Sequence, residues 1–207
     1  MSSKSPQSPR LPRMLLWGLL VAVLLAVTAW ALTTRLSAPD LPVLGQVPPF
    51  SLTDQRGETV TLDDLAGEPW IADFIFTRCT LSCPMMTTRM AELDDGRVSP
   101  EVRLVSFSVD PEHDTPEVLA DYARAFSASN RWHFLTGSKD EILALALEGF
   151  HLALNPEPPE GTAPPEEPIV HSTRFVLVDG RGRIRGYYDG MSREGVEQLE
   201  RDTALLR

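Results

Sequence analysis

Cysteine is scarce in this chain of 207 residues: there are two, Cys79 and Cys83. Neither directly follows the one long apolar run, which excludes a lipid-modified cysteine as an anchor. Basic residues are also outnumbered, 19 Lys and Arg against 29 Asp and Glu. Outside residues 1–44, which hold four basic residues and one acidic, 15 basic face 28 acidic, a net charge of −13. A surface of that sign excludes nucleic acid as a partner and reads as a solubilising face, with a basic patch on a docking protein as a secondary reading. There is no internal repeat, and a hydrophobic content of 43% suffices for one packed core.

The apolar run is Met14 to Leu32, 19 residues without a charge. At about 1.5 Å per residue it spans roughly the 30 Å hydrocarbon core of a bilayer. Lys4, Arg10 and Arg13 precede it with no acidic residue, so the positive-inside bias puts the N-terminus in the cytoplasm and exports the C-terminal portion of the chain. Residues 1–13 are expected as a cytoplasmic N-terminus, 14–32 as a single membrane anchor, 33–44 as a proline-broken linker and 45–207 as the exported domain. The implied location is a bacterial inner membrane, with the domain in the periplasm. Ala29, Trp30 and Ala31 also form an A-x-A-like pattern, so a cleavable signal is the alternative, although the run exceeds the roughly 7–15 residues usual for a signal core.

Within the domain, alternation around a Gln-Arg-Gly turn predicts a hairpin from Phe50 to Leu62. Pro69 to Phe76 is nearly continuous in apolar residues, as expected of a strand buried on both faces. From Pro84 the pattern is helical, Val102 to Val109 is a second buried strand, and a helix follows Asp114 or Thr115 with Pro116 at its first position. Ser138 and Glu141 have capping-box spacing ahead of another helix. Residues 155–168 are too rich in proline for either element; two strands around an Asp-Gly turn and a closing helix come after them. Strand, helix, strand, helix, hairpin and helix make an α/β layered sheet.

The cysteines fall where the first long buried strand gives way to a helix. Unpaired N–H groups and the positive dipole end there favour thiolate, so an acidic pair is expected. Residues i and i+4 of a helical segment share a face, which allows a reversible disulfide or one shared metal ion. A purely structural bridge is disfavoured, because closing so short a loop removes little entropy from the unfolded chain. The order of elements resembles a thioredoxin-like fold, in which the loop entering the strand Ser172 to Asp179 packs against the cysteine turn; of the four histidines, the resemblance gives His171, just before that strand, a reason to approach. Two sulfurs and one imidazole nitrogen suit Cu(I), and hold Cu(II) with help.

The arrangement resembles a thioredoxin-like fold with an N-terminal β-hairpin, tethered to a single N-terminal transmembrane helix. More specifically, FIFTRCTLSCP, VSFSVDPEHDTPEVLADYARAF and HSTRFVLVDGRGRIRGYY, in that order, resemble the Sco/SenC family of copper-binding proteins. The resemblance implies Cys79, Cys83 and His171 as copper ligands. It also implies assistance in assembling the dinuclear copper site of cytochrome c oxidase, with that enzyme's copper-bearing subunit or another copper protein as partner. The chain departs from many relatives at Val170, where they carry an acidic residue before the histidine.

Asp73, six residues before Cys79, matches a buried aspartate of thioredoxins and is a candidate proton relay; the alternative is a solvated or turn-capping carboxylate near a strand end. The rival function is a thiol-disulfide oxidoreductase that cycles Cys79 and Cys83 on exported protein cysteines. Met85 and Met86 offer thioethers but read as core helix positions. His113 reads as a turn residue, and Asp110 and Asp114 as braces of the loop before the next helix.

Overall fold

The computed structural model describes residues 13–36, 40–80, 82–152 and 172–206. The chain divides into two units, Met1–Asp40 and Leu41–Arg207. Among its described residues the first contains one helix, α1 (Arg13–Leu36). Its unbroken run of described side chains, residues 17–31, is exposed throughout and covers about 22 Å. Among the described residues no helix is long and apolar enough to cross a membrane.

The second unit is built on one sheet. Its strands are β1 (Gly45–Gln46), β2 (Ser51–Asp54), β3 (Thr59–Thr61), β4 (Trp70–Ile75), β5 (Arg103–Ser108), β6 (Trp132–Thr136), β7 (Arg174–Val178) and β8 (Arg183–Asp189). Their order across the sheet is β1-β8-β7-β4-β5-β6-β2-β3. The pairs β4–β5 and β5–β6 are parallel and the others antiparallel. The expected hairpin is β2–β3, and it adds to the β6 edge. Its turn is closed by Asp54, whose carboxylate accepts the amides of Arg56 and Glu58.

Every residue of β4 is buried, because the sheet is covered on both sides. Trp70, Ala72 and Phe74 face a core completed by Phe107, Phe150 and the helix α4 (Lys139–Ala144). Ile71 and Ile75 face the opposite core, where α2 (Ser82–Glu92), α3 (Pro116–Ala125) and α5 (Arg193–Thr203) pack. Thr115 and Ser138 cap their helices as the sequence signals, and Ser192 caps α5 in the same way, each accepting an amide of the first turn. Arg185, almost wholly buried, donates to the carbonyls of Leu41 and Pro42 and to Asp179, fixing the entry of the chain against β8.

Candidate metal and thiol site

The chain leaves β4 in a tight turn, with the Cys79 amide donating to the Phe76 carbonyl at 3.2 Å. Cys79 precedes α2, and Cys83 lies in its first turn. Both are thiols. The Cys83 amide donates to Cys79 Sγ at 3.4 Å, so the first sulfur occupies the place of a helix cap. This brings both side chains to the N-terminal end of one helix through a cap and a turn, not through two positions on a common helical face.

The turn is held from β5 and the loop behind it. Asp114, fully buried, accepts from the Thr77 amide at 3.1 Å, from Thr77 Oγ1 at 2.5 Å and from Ser108 Oγ at 2.6 Å. Arg78 donates to Asp110 Oδ2 through Nε at 2.9 Å and Nη2 at 2.5 Å. The two aspartates expected to brace this loop therefore do so, and they also brace the cysteine turn. The actual cap of α3 is Thr115.

The electrostatics differ from a simple helix-dipole expectation. Burial, and then the interaction with Cys79, pushes the Cys83 thiol up to about 12, against a lowering backbone hydrogen bond at Phe76. An acidic pair is thus not what Cys83 offers: desolvation of an anion in this apolar pocket outweighs the dipole. A metal ion or oxidation must displace its proton.

Asp73 is buried in mid-strand, on the face of Ile71 and Ile75, opposite Ser106 of β5. It is neither solvated nor a turn cap. Neither carboxylate oxygen has a hydrogen-bond partner. Burial raises the group to about 7, with Ser106 opposing the rise; the Ser106 hydroxyl accepts from Trp132 Nε1 at 3.0 Å. The Asp73 charge acts on both Cys83 and Tyr122.

Tyr122 was not among the residues singled out in the sequence. Its hydroxyl lies 2.9 Å from Thr87 Oγ1, which donates to the Cys83 carbonyl at 2.8 Å. The available signal was the four-residue spacing of Cys83 and Thr87; the partner on α3 could not be known before the helices were packed. Met86 is core, but Met85, expected there too, is 48% exposed. His133 approaches Asp54 at 3.4 Å, on the β2 side of the sheet. His171 and Val170, with the proline-rich stretch before them, lie outside the described residues.

The chain matches the SCO1/SenC family over residues 44–204. It belongs to that family. A relative described as a SCO1 protein homolog of Bacillus subtilis (strain 168) is 38% identical over 165 residues, 78% of this chain and 82% of the relative. A solved structure of BsSco, described as a member of the Sco family of cytochrome c oxidase assembly proteins with a disulfide switch, has a TM-score of 0.68 and 36% identity. That likeness covers 80% of this chain and 96% of BsSco. Bradyrhizobium japonicum ScoI with copper bound has a TM-score of 0.63 and 25% identity, covering 79% of this chain and all of that one. The thioredoxin-like α/β architecture expected from the motif order is the architecture of these Sco structures.

Two outcomes test this Sco/SenC site. The Asp73 carboxyl titrates near 3.8 when unfolded and near 7 when buried, so between those values the folded state binds more protons. Its contribution is fully present below about pH 3.8, is lost as pH rises towards 7, and then levels off, a change on the order of 4 kcal/mol. Asp73→Asn should remove that dependence; denaturant unfolding from pH 4 to 8 should show the variant gaining on wild type as pH rises, and parallel curves would contradict it. Asp114→Ala leaves buried donors on Thr77 and Ser108 unpaired, and should cost roughly 2–3 kcal/mol. It should also speed hydrogen exchange at the Thr77 amide, and an unchanged amide would show that the turn holds without the brace.

Proposed function

We propose that this protein is a membrane-anchored copper carrier that binds one copper ion through Cys79, Cys83 and His171. It assists assembly of the dinuclear copper site of cytochrome c oxidase. The observation that carries this reading is the thiol pair at the start of α2, with the Cys83 amide 3.4 Å from Cys79 Sγ. The two sulfurs sit at one helix end, a donor set suited to a soft ion. Copper-bound Bradyrhizobium japonicum ScoI and the assembly role stated for BsSco support it.

Copper is cargo here. Binding requires Cys83 to release a proton that burial holds firmly, so affinity should fall with acidification. Handover to a partner then proceeds by replacing one thiolate at a time, each vacated sulfur taking a proton.

A second reading, a thiol-disulfide oxidoreductase, is favoured by Asp73. A carboxyl raised to about 7 whose charge reaches Cys83 fits a proton acceptor for that thiol. Cycling of Cys79 and Cys83 would then act on exported protein cysteines, or would prepare the copper partner's own thiols.

We place α1 in a bacterial inner membrane, with Leu41–Arg207 in the periplasm. Leu15, Trp17, Leu19, Leu20 and Trp30 are among its exposed large side chains. Residues 14–32 carry no charge, and water is a poor solvent for such a helix.

Anaerobic Cu(I) titration of the reduced protein, beside His171→Ala and the Cys79→Ser, Cys83→Ser double variant, separates the readings. One equivalent bound tightly by wild type and much more weakly by both variants is expected of the carrier. Tight binding indifferent to His171, or none, would leave dithiol exchange as the function. For the anchor, carbonate-washed membranes should retain the protein, and a periplasm-active reporter fused at the C-terminus should be active; a protein released by the wash would remove the membrane assignment.

A further inference from the structure

We propose that Tyr122 is a positioning residue for Cys83: through Thr87 it fixes the first turn of α2, and so holds the Cys83 sulfur where it and Cys79 can share one Cu(I) ion. This inference rests on the carrier reading above.

Counting hydrogens gives the direction of the chain. Thr87 is almost wholly buried on α2, and its hydroxyl has one hydrogen, which goes to the Cys83 carbonyl at 2.8 Å. The 2.9 Å contact between Thr87 Oγ1 and the Tyr122 hydroxyl is therefore donated by the phenol. Tyr122 thus reaches from α3 to the Cys83 backbone through two hydrogen bonds in series. The same count leaves the phenol no hydrogen for Asp73, whose oxygens have no partner. Burial pushes the phenol up to about 12, against a lowering bond to Thr87 and with the charges of Cys83, Asp73 and Cys79 adding to the rise. It stays a donor at any pH at which the thiols are put to use.

Cys83 needs such a tie. It is a helical residue followed directly by Pro84, and a proline ring disfavours the helical conformation in the residue before it. Its amide donates to Cys79 Sγ at 3.4 Å, an atom that changes partners when copper arrives. Thr87 alone is a weak hold, since a hydroxyl bonded back to the carbonyl four residues earlier tends to bend its own helix. Tyr122 brings in a fixed point from outside α2. Its ring centroid lies 4.9 Å from that of Phe126, and it meets Phe134 of β6 edge-on at 6.1 Å; Phe134 is fully buried. The cysteine segment is then tied at both ends. Asp114 holds Thr77 ahead of Cys79, and Tyr122 holds Cys83 behind it. Donors already in place lose less freedom on binding, so a tie that limits drift between the sulfurs favours the ion they share.

The test pairs Tyr122→Phe, which keeps the ring and loses the hydroxyl, with Thr87→Val, which keeps the branched shape and loses the relay, and with the double variant. In the reduced, metal-free, full-length protein, the Cys83 amide should exchange hydrogen about fivefold or more faster in Tyr122→Phe. Anaerobic competition with a chromophoric Cu(I) chelator should show affinity lowered about fivefold or more in each single variant. The double variant should match the weaker single variant within about twofold, because both changes cut one chain. Thr87→Ser keeps the relay and should bind within about twofold of wild type. A Tyr122→Phe affinity within about twofold of wild type would overturn the proposal, whatever happens to stability, since a bond that only stabilises the fold leaves a folded protein's affinity where it was. Unchanged exchange at Cys83, or losses that add in the double variant, would overturn it as well. A wild-type protein that takes up no stoichiometric Cu(I) would overturn the carrier reading and this inference together, whereas normal uptake with unchanged variants would overturn this one alone.

Discussion

The carboxylate of Asp114 joins the segments that meet at the carboxyl ends of β4 and β5. These strands run parallel, so the turn after Ile75 and the loop after Ser108 emerge side by side, and the Val109 amide donates to the Ile75 carbonyl. Buried donors in such a place must find an acceptor or cost stability. Asp114 accepts two hydrogen bonds from Thr77 and one from Ser108, and the geometry of the cysteine turn follows from those bonds. Arg78 and Asp110 add a second tie at the rim. Exposed, that pair would contribute little by itself, but it shares the turn with a buried anchor.

Behind the turn the protein keeps polar groups where packing alone would favour apolar ones. Asp73 has no hydrogen-bond partner, Cys83 is held as a thiol by burial, and Tyr122 reaches the helix of Cys83 through Thr87. A low-dielectric surrounding strengthens the coupling between such groups, so the ionisation of one bears on the others. In the carrier reading this makes the site hold its proton until a soft ion replaces it. In the exchange reading it supplies an acceptor beside the thiol that must ionise. The same burial serves both chemistries.

Much of the fold was legible in local pattern. The apolar run of β4, broken only by Asp73, signalled a strand covered on both faces, and Thr115, Ser138 and Ser192 sit at helix starts with their side chains capping. The cysteine pair was legible by position, at the junction of strand and helix. Its ionisation was not: the helix end argues for thiolate, and only the depth of the pocket decides against it at Cys83. Met85 and Met86 are adjacent and chemically equal, yet one is exposed and the other core, because α2 turns a single face to the sheet.

The sequence by itself determined most of the order of elements, β6 and the short β1 excepted, the place of the two thiols and the motifs that mark an Sco/SenC protein, since these depend on neighbours a few residues apart. Tertiary structure alone decided that Asp73 is dry, that Asp114 clamps a turn 37 residues before it, and that His113 leans on that turn. Those facts arise from parallel strand pairing, which brings distant loops to one edge of the sheet. Short-range periodicity carries no record of that encounter.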